Sequence, residues 1–204
     1  MTKDFWETCD TDFAHITAGK YQTYDDAVAV WHKEFWDTCS WHDKIVVDYG
    51  CGGGWLYKEL ASMLADGIRI KKYYGLDIAQ RQINAACAAS GDNPDAEFLL
   101  LPQNLCTLNA DILVCQSVIQ HLNMEEYNVL LESINDSGIP ELILNWRDGA
   151  GGPVFNERNV RLACHTDCNG LLAHLSRYEV AWLNPVRKYK MRYGGFRLKS
   201  TTAY

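Results

Sequence analysis

A short β-branched run that leads directly into a cluster of glycines constrains the fold of this chain more than any other feature. The run Lys44–Tyr49 reads KIVVDY, and glycines follow at positions 50, 52, 53 and 54. A continuous apolar run of this length is typical of a strand buried on both faces. Glycine lets the backbone turn tightly and approach other atoms closely. The pattern predicts a buried strand that ends in a tight turn.

Strands and helices alternate along the chain after this turn. Strands are predicted at Tyr73–Asp77, Glu97–Leu101, Asp111–Cys115 and Glu141–Asn145, with helices at Trp55–Ala65, Gln80–Ala89 and Glu125–Ile134. A helical piece near 168–176 precedes two last strands, Tyr178–Leu183 and Lys190–Leu198, which we expect to pair antiparallel. Alternation of this kind indicates βαβ units. We therefore expect a Rossmann-like α/β fold with a seven-stranded, mostly parallel sheet, an antiparallel last strand and helices on both faces.

The first 43 residues carry a different pattern. Apolar positions 24, 27, 28, 31 and 35 recur at helical spacing and predict an amphipathic helix from Tyr24 to Trp36. We expect residues 1–43 to form an N-terminal helical cap on a core of residues 44–204. The length of 204 residues suits one domain, so residues 1–204 are predicted to form a single domain.

Composition and charge narrow the class of protein. Hydrophobic residues make up 48% of the chain, as in ordinary globular proteins. The net charge of -7 weighs against nucleic acid as the main partner, because proteins that hold its backbone usually present a basic surface. Several of the eight cysteines fall in apolar runs, and no stretch has the pattern of a signal peptide or a membrane span. We expect a reduced, cytoplasmic protein without a membrane partner.

Residues 184–204 contain six basic residues and no acidic one. One interpretation is an edge strand protected by Lys and Arg against pairing with other chains. The other is a patch for an anionic partner.

The glycine turn also carries a chemical signal. Asp48 lies two residues before the first of three alternating glycines, Gly50, Gly52 and Gly54. A dinucleotide site requires its third glycine at position 55, where this chain has Trp55. A carboxylate before the turn is a poor neighbour for pyrophosphate and a good one for an ammonium or sulfonium group. Ligands of parallel sheets bind at the carboxyl ends of the strands, where this turn lies.

The turn resembles the first motif of class I methyltransferases that use S-adenosylmethionine (SAM). The resemblance covers residues 44–145 by motif and 44–204 by element order. It implies SAM as cofactor and S-adenosylhomocysteine as product. The methionine part would be held by Asp48, Gly50, Cys51, Gly52 and Gly54.

The resemblance extends to the ends of the second and third strands. Asp77 would accept the ribose hydroxyls and Ile78 would pack on adenine, although Asp77 also suits an N-cap of the next helix. Family members often have an acid after the third strand, whereas this chain has Pro102-Gln103-Asn104. Gln103 or Asn104 would contact adenine through an amide.

The fourth strand leads into Gln116 and His121. Gln116 would face the cofactor or the acceptor, and His121 is a candidate general base, with packing or capping of the next helix as the alternative. The Asn/Asp-Pro-Pro-aromatic tetrapeptide of DNA amino-methyltransferases is absent from this position, as is the Pro-Cys pair of cytosine C5 enzymes.

Four further residues are candidates for binding the methyl acceptor. Trp146 and Arg147 follow the fifth predicted strand, and Arg147 could pair with a carboxylate or phosphate or form a surface ion pair. Tyr21 and Tyr24 could line a lid or pack the cap on the sheet. The trio Cys164, His165 and Cys168 lacks the second ligand pair of a structural zinc site, so no metal is predicted.

We therefore expect a SAM-dependent methyltransferase that acts on a nitrogen or oxygen of a small molecule or protein side chain. The alternatives are a non-catalytic SAM-binding module or partner subunit, a tRNA or other RNA methyltransferase, and an aminopropyl transferase-like enzyme. The last would typically have acidic residues where this chain has Gln116. A monomer or a homodimer is expected.

Overall fold

The structure is a computed structural model that describes residues 3–8, 40–63, 67, 69–116, 118–148, 154–155, 161–162, 168–188 and 191–200. The predicted helix from Tyr24 to Trp36 lies outside these residues, as do Tyr21, Cys164 and His165. The first described element is the short helix α1 (Lys3–Thr8).

The remaining elements follow the predicted alternation. In chain order they are β1 (Ile45–Tyr49), α2 (Trp55–Met63), β2 (Lys72–Asp77), α3 (Gln80–Ser90), β3 (Ala96–Leu100), a 3₁₀ helix (Leu105–Leu108), β4 (Ile112–Cys115), a second 3₁₀ helix (Ile119–His121), α4 (Met124–Ser137), β5 (Glu141–Asp148), β6 (Val154–Phe155), β7 (Arg161–Leu162), α5 (Cys168–His174), β8 (Tyr178–Lys188) and β9 (Met191–Ser200). Strands β6 and β7 form a separate antiparallel pair that the sequence did not predict.

Five parallel strands confirm the prediction of a Rossmann-like α/β fold. They lie in the order β3-β2-β1-β4-β5, so the chain reverses direction across the sheet between β1 and β4. Strand β9 pairs antiparallel with β5, and β8 pairs antiparallel with β9, so the hydrogen-bonded order continues as β5-β9-β8. The crevice at the reversal point is where ligands bind in sheets of this type.

The two faces of the sheet pack against different helices. Adjacent residues of one strand point to opposite faces, so Val46 joins one hydrophobic cluster and Val47 the other. Helix α2 covers the Val46 face with Leu56 and Leu60, and α4 covers the Val47 face with several fully buried side chains. Each such buried side chain stabilises the fold by roughly 1.5–3 kcal/mol. Burial on both faces explains why the strands read as continuous apolar runs.

The structure corrects the predicted end of the fifth strand. The sequence placed Trp146 and Arg147 after the end of the strand, but β5 continues to Asp148. Trp146 pairs with Gly194 and Arg147 with Tyr193, because β9 extends the ladder beyond the apolar core. Local hydrophobicity in the sequence carries no signal for pairing with a strand nearly fifty residues away. Among the described residues, no helix has the length and apolar character needed to cross a membrane.

Candidate functional site

The loop after β1 is held against the end of β2 by its own backbone. The amides of Gly50 and Cys51 both donate to the carbonyl oxygen of Leu76, over 2.7 and 2.9 Å. The φ angles of Gly50, Gly52 and Gly54 are 80°, 52° and 80°. Residues other than glycine rarely adopt such values. The loop therefore presents its backbone at the carboxyl end of β1.

Close packing adds a second reason for glycine at two of these positions. A Cβ atom on Gly50 would lie 2.2 Å from Cγ2 of Val118, which follows β4. A Cβ atom on Gly54 would lie 3.3 Å from the Cα of Ala86 in α3. At Gly52 the nearest such atom, Oε1 of Gln82, is 3.9 Å away, so this glycine borders open space. The middle of the loop is thus a backbone surface that a ligand can approach.

Asp48 lies beneath the loop and is 3% exposed. Its carboxylate accepts a hydrogen bond of 2.6 Å from the hydroxyl of Tyr73 in β2. Burial, followed by the negative charge of Asp48, raises the pKa of the Tyr73 phenol well above its ordinary value. The phenol therefore stays protonated and remains a donor to Asp48.

Asp77 joins three parts of the site. Its carboxylate accepts one hydrogen bond from the amide of Gly52 at 3.0 Å and another from the amide of Ala79 at 2.9 Å. Its backbone oxygen accepts a bond from the amide of Leu101 after β3. Burial raises the pKa of Asp77 above its ordinary value, although the two amide hydrogen bonds lower it. The alternative role for Asp77, opening the next helix, is only partly observed, because it bonds Ala79 and not the first amides of α3.

Those first amides of α3 are bound by a residue that is distant in sequence. The carboxylate of Glu7 in α1 accepts hydrogen bonds from the amides of Gln80 and Arg81, over 2.9 and 3.1 Å. The Arg81 guanidinium donates back to the carbonyl oxygen of Thr8 at 3.4 Å. Helix α1 is therefore docked beside Asp77 at the carboxyl end of β2.

Gln116 and His121 follow β4 on the other side of the glycine loop. The Nε2 atom of Gln116 is buried and has no hydrogen-bond partner within the described part of the chain. The imidazole of His121 packs edge-on against the indole of Trp6, with 5.3 Å between ring centroids. The capping alternative for His121 is wrong, because Asn123 and Glu126 form the capping box of α4. Gln116 remains a buried amide that could donate to a ligand.

The side chains proposed to contact adenine form hydrogen bonds with nearby backbone groups. Gln103 Nε2 donates to the carbonyl oxygen of Leu100 at 2.8 Å, and Asn104 caps the first 3₁₀ helix by accepting from Cys106. Both are exposed, and Ile78 is half-buried beside Asp77. Tyr24, like Tyr21, lies outside the described residues, and only the backbone is described for Trp146 and Arg147.

The electrostatic character of the site is negative. Burial, and then the charges of Asp48 and Asp77, raise the pKa of the Cys51 thiol well above its ordinary value. The thiol is therefore neutral and is not a nucleophile at neutral pH. No cluster of three His, Cys, Asp or Glu suited to a metal occurs among the residues that the structure describes. Two buried carboxylates beside an open backbone loop suit a cationic ligand.

Three residues of the site were missed by the sequence analysis. Tyr73 had a detectable signal, because it lies in β2 on the same sheet face as Asp48 and one strand away. Trp6 and Glu7 had no local signal, because their partners lie more than seventy residues later in the chain.

Comparison with known proteins finds a methyltransferase domain in part of this chain. A family model for a methyltransferase domain matches residues 47–138. Ribosomal protein L11 methyltransferase from Colwellia psychrerythraea is 32% identical over 99 residues, which are 48% of this chain and 32% of that protein. The chain thus spans about a third of the length of the curated relative it matches.

Solved structures show the same fold at low identity. Magnesium protoporphyrin IX methyltransferase from Synechocystis PCC 6803, solved with bound SAM, has a TM-score of 0.64 and 18% identity, covering 98% of this chain and 95% of that one. A SAM-dependent methyltransferase from Anabaena variabilis has a TM-score of 0.69 and 13% identity, covering 97% and 94%. The chain thus matches a methyltransferase domain over residues 47–138 and has the fold of class I, Rossmann-like SAM-dependent methyltransferases.

Proposed function

We propose that the protein is an enzyme that transfers a methyl group from SAM to a nitrogen or oxygen of a small molecule or protein side chain. The observation that carries the proposal is the glycine loop held between the buried carboxylates Asp48 and Asp77 at the carboxyl end of β1. A positively charged ligand gains from both carboxylates, and the open backbone at Gly52 leaves room for it.

The described residues suit SAM in position and chemistry. Gly50, Cys51, Gly52 and Gly54 would hold the methionine part, with Asp48 beneath them. Asp77 would accept the ribose hydroxyls in place of its present amide donors or beside them, since a carboxylate has about four acceptor sites. The buried amide of Gln116 would find its missing partner in the ligand.

The adenine would lie between the ends of β2 and β3. We propose that Ile78 packs on the ring and that the amide of Gln103 or Asn104 contacts its edge. Each side-chain amide would exchange its hydrogen bond with a nearby backbone group for one to adenine. Both can do so because they are exposed.

Methyl transfer from SAM requires little of the protein beyond positioning SAM and the methyl acceptor. When bound, SAM supplies a methyl group on a positively charged sulfur. Gln116 would orient the reacting groups, and the loop would exclude water around them. His121 would accept a proton at an imidazole nitrogen where the acceptor loses one during attack. Trp146, Arg147, Tyr21 and Tyr24 are proposed to contact the acceptor.

Relatives support the activity without fixing the acceptor. The curated relative is named for a ribosomal protein, and one structural neighbour is named for a magnesium porphyrin. Another neighbour, with a TM-score of 0.63, is a [4+2]-cyclase, so the fold alone does not define the reaction. We further propose one domain over residues 1–204, a cap over 1–43, a cytoplasmic location and a monomer or homodimer.

Calorimetry with SAM, S-adenosylhomocysteine, decarboxylated SAM and NAD tests the cofactor. We expect SAM and S-adenosylhomocysteine to bind, and NAD not to bind. Preference for decarboxylated SAM would indicate an aminopropyl transferase, and tight NAD binding without SAM binding would overturn the proposal.

Transfer of radiolabelled methyl from SAM to fractions of metabolites, protein and RNA tests the reaction. Label is expected in metabolites or protein, and its loss in the Asp77→Asn variant identifies the site. The Glu97→Gln variant is a matched control, because Glu97 is an exposed carboxylate on the neighbouring strand β3. Cofactor binding without transfer to any fraction would indicate a binding module.

A further inference from the structure

Helix α1 contacts the rest of the fold on both sides of the glycine loop. On one side Glu7 binds the amides of Gln80 and Arg81 at the start of α3, directly after β2. On the other side Trp6 packs against His121, at the end of the 3₁₀ helix that follows β4. Strands β2 and β4 are the two neighbours of β1 in the sheet. Adjacent side chains of one helix therefore contact the segments that follow the two strands beside β1.

The first contact is electrostatically favourable. The first amides of a helix lack partners within the helix and carry a partial positive charge. Helix α3 has Ala79 as its N-cap residue, without a side-chain bond, so the Glu7 carboxylate supplies the acceptors that this helix end requires. The reciprocal bond from Arg81 to the Thr8 carbonyl fixes the direction of α1.

The second contact fixes the plane of an imidazole. The indole of Trp6 meets the ring of His121 at an interplanar angle of 73°, an edge-to-face arrangement that aromatic rings favour. An indole in this position limits the rotation of the imidazole. His121 is the residue that the proposed mechanism uses to accept a proton, so its orientation affects the reaction.

We propose that α1 is a positioning element of the cofactor site, in which Glu7 and Trp6 couple the loop after β2 to His121 after β4. Neither residue needs to touch cofactor or acceptor. Glu7 acts through the segment Asp77–Arg81, which contains the proposed ribose and adenine contacts, and Trp6 acts through His121. The effect of α1 on cofactor affinity rests on the proposed function, whereas the mechanical link between the two contacts does not.

Nuclear magnetic resonance of the full chain tests the link without any cofactor. The Glu7→Gln variant weakens the contact with α3, and the readout is the imidazole resonance of His121 at the other contact, assigned among six histidines by its loss in His121→Gln. We expect the resonance to shift, because a loosened α1 removes the ring current of Trp6. Asp4→Asn is the matched control, since Asp4 is an exposed acid on the same helix.

The reciprocal variant tests the same link from the other side. Trp6→Ala is expected to shift the amide resonances of Gln80 and Arg81, and Trp6→Phe to shift them less because it keeps an aromatic ring. An unshifted His121 in Glu7→Gln, or an equal shift in Asp4→Asn, would overturn the proposal. The resonance shifts, or their absence, test the link whether or not the protein binds SAM.

Calorimetry with S-adenosylhomocysteine then measures the consequence for the site. Glu7→Gln and Trp6→Ala are expected to weaken binding several-fold, and Asp4→Asn to leave it unchanged. In an activity assay Glu7→Gln would raise the KM for SAM more than it lowers kcat, because it acts through the nucleoside side. Wild-type affinity in both variants would overturn the positioning role. Failure of the wild-type protein to bind S-adenosylhomocysteine would instead reject the proposed function.

Discussion

The two ends of the parallel strands use aspartate in different ways. At the amino ends, Asp111 accepts a hydrogen bond from the amide of Ile45 and pairs with Lys44 over 3.4 Å, and its side chain is 34% exposed. At the carboxyl ends, Asp77 also accepts backbone amides but is only 9% exposed. No cationic side chain pairs with Asp77 within the described residues.

Asp111 therefore stabilises the fold, whereas Asp77 is available to a ligand. A buried charge without a counter-ion is costly, and proteins keep such groups mainly where function requires them. At the carboxyl end of β1, the glycine loop also combines positive φ angles with close packing at Gly50 and Gly54. Substitutions at the carboxyl ends are therefore expected to differ in effect from matched substitutions at the amino ends.

The largest effect is expected for Gly50→Ala. The new Cβ would lie 2.2 Å from the Val118 side chain and would force an alanine to a φ of 80°. Strain and overpacking together should lower the free energy of unfolding by about 3 kcal/mol. Gly91→Ala, in the turn that leads to the amino end of β3, meets no atom within 4 Å and should cost only the strain.

Urea unfolding of both variants measures this difference. Adding Val118→Ala to Gly50→Ala should restore part of the lost stability, because it removes the clashing methyl group. Equal costs for Gly50→Ala and Gly91→Ala would contradict the close approach of Val118 to the loop.

The next effect concerns the two aspartates themselves. Asp77→Asn should weaken S-adenosylhomocysteine binding by about 1–3 kcal/mol, because hydrogen bonds to a charged acceptor are lost. Asp111→Asn should lower stability and leave the affinity unchanged, because Asp111 lies at the opposite ends of the strands. Calorimetry and thermal unfolding of both variants check this, and equal affinity losses would remove the distinction between the two ends.

An effect of similar size, on stability instead of affinity, is expected when the donor to Asp48 is removed. Tyr73→Phe leaves a buried carboxylate without its 2.6 Å hydrogen bond and should lower the free energy of unfolding by about 1–3 kcal/mol. The control is Tyr57→Phe, since the Tyr57 hydroxyl accepts a bond of 2.7 Å from Asn93 near the amino end of β3. Tyr57 is less buried than Tyr73, so its loss should cost less. Equal costs in urea unfolding would argue against a special role for the Tyr73–Asp48 pair.

Local patterns in the sequence were sufficient for the parallel sheet and its glycine loop. Each strand from β1 to β5 contains a short apolar run, and the alternating glycines directly follow the first of them. Trp146 and Arg147 were misplaced because the extent of β5 depends on pairing with β9. The donor to Asp48 and the cap of α3 were missed for the same reason, since Tyr73 and Glu7 are brought to their partners only by the folded sheet. Contacts distant in sequence leave no periodic signal.

The smallest effect, and the one that best resolves the carboxyl ends, is the titration of Glu7. Hydrogen bonds from the amides of Gln80 and Arg81, with a smaller contribution from the charge of Lys3, lower the pKa of Glu7 below its ordinary value of 4.5. A group with a lowered pKa keeps its contact above its ordinary value and loses it as the pH falls through the lowered one. The amide resonances of Gln80 and Arg81 should therefore move in one step below pH 4.5.

Asp77 supplies an internal contrast in the same experiment. Its raised pKa, to which the charge of Glu7 contributes, means that the amides of Gly52 and Ala79 should titrate above the ordinary aspartate value of 3.8. Glu7→Gln should abolish the step of the Gln80 and Arg81 amides and move the step of the Gly52 and Ala79 amides to lower pH, because a neighbouring negative charge is gone. Asp4→Asn should retain both steps. Persistence of the Gln80 and Arg81 step in Glu7→Gln would refute the contact of Glu7 with α3.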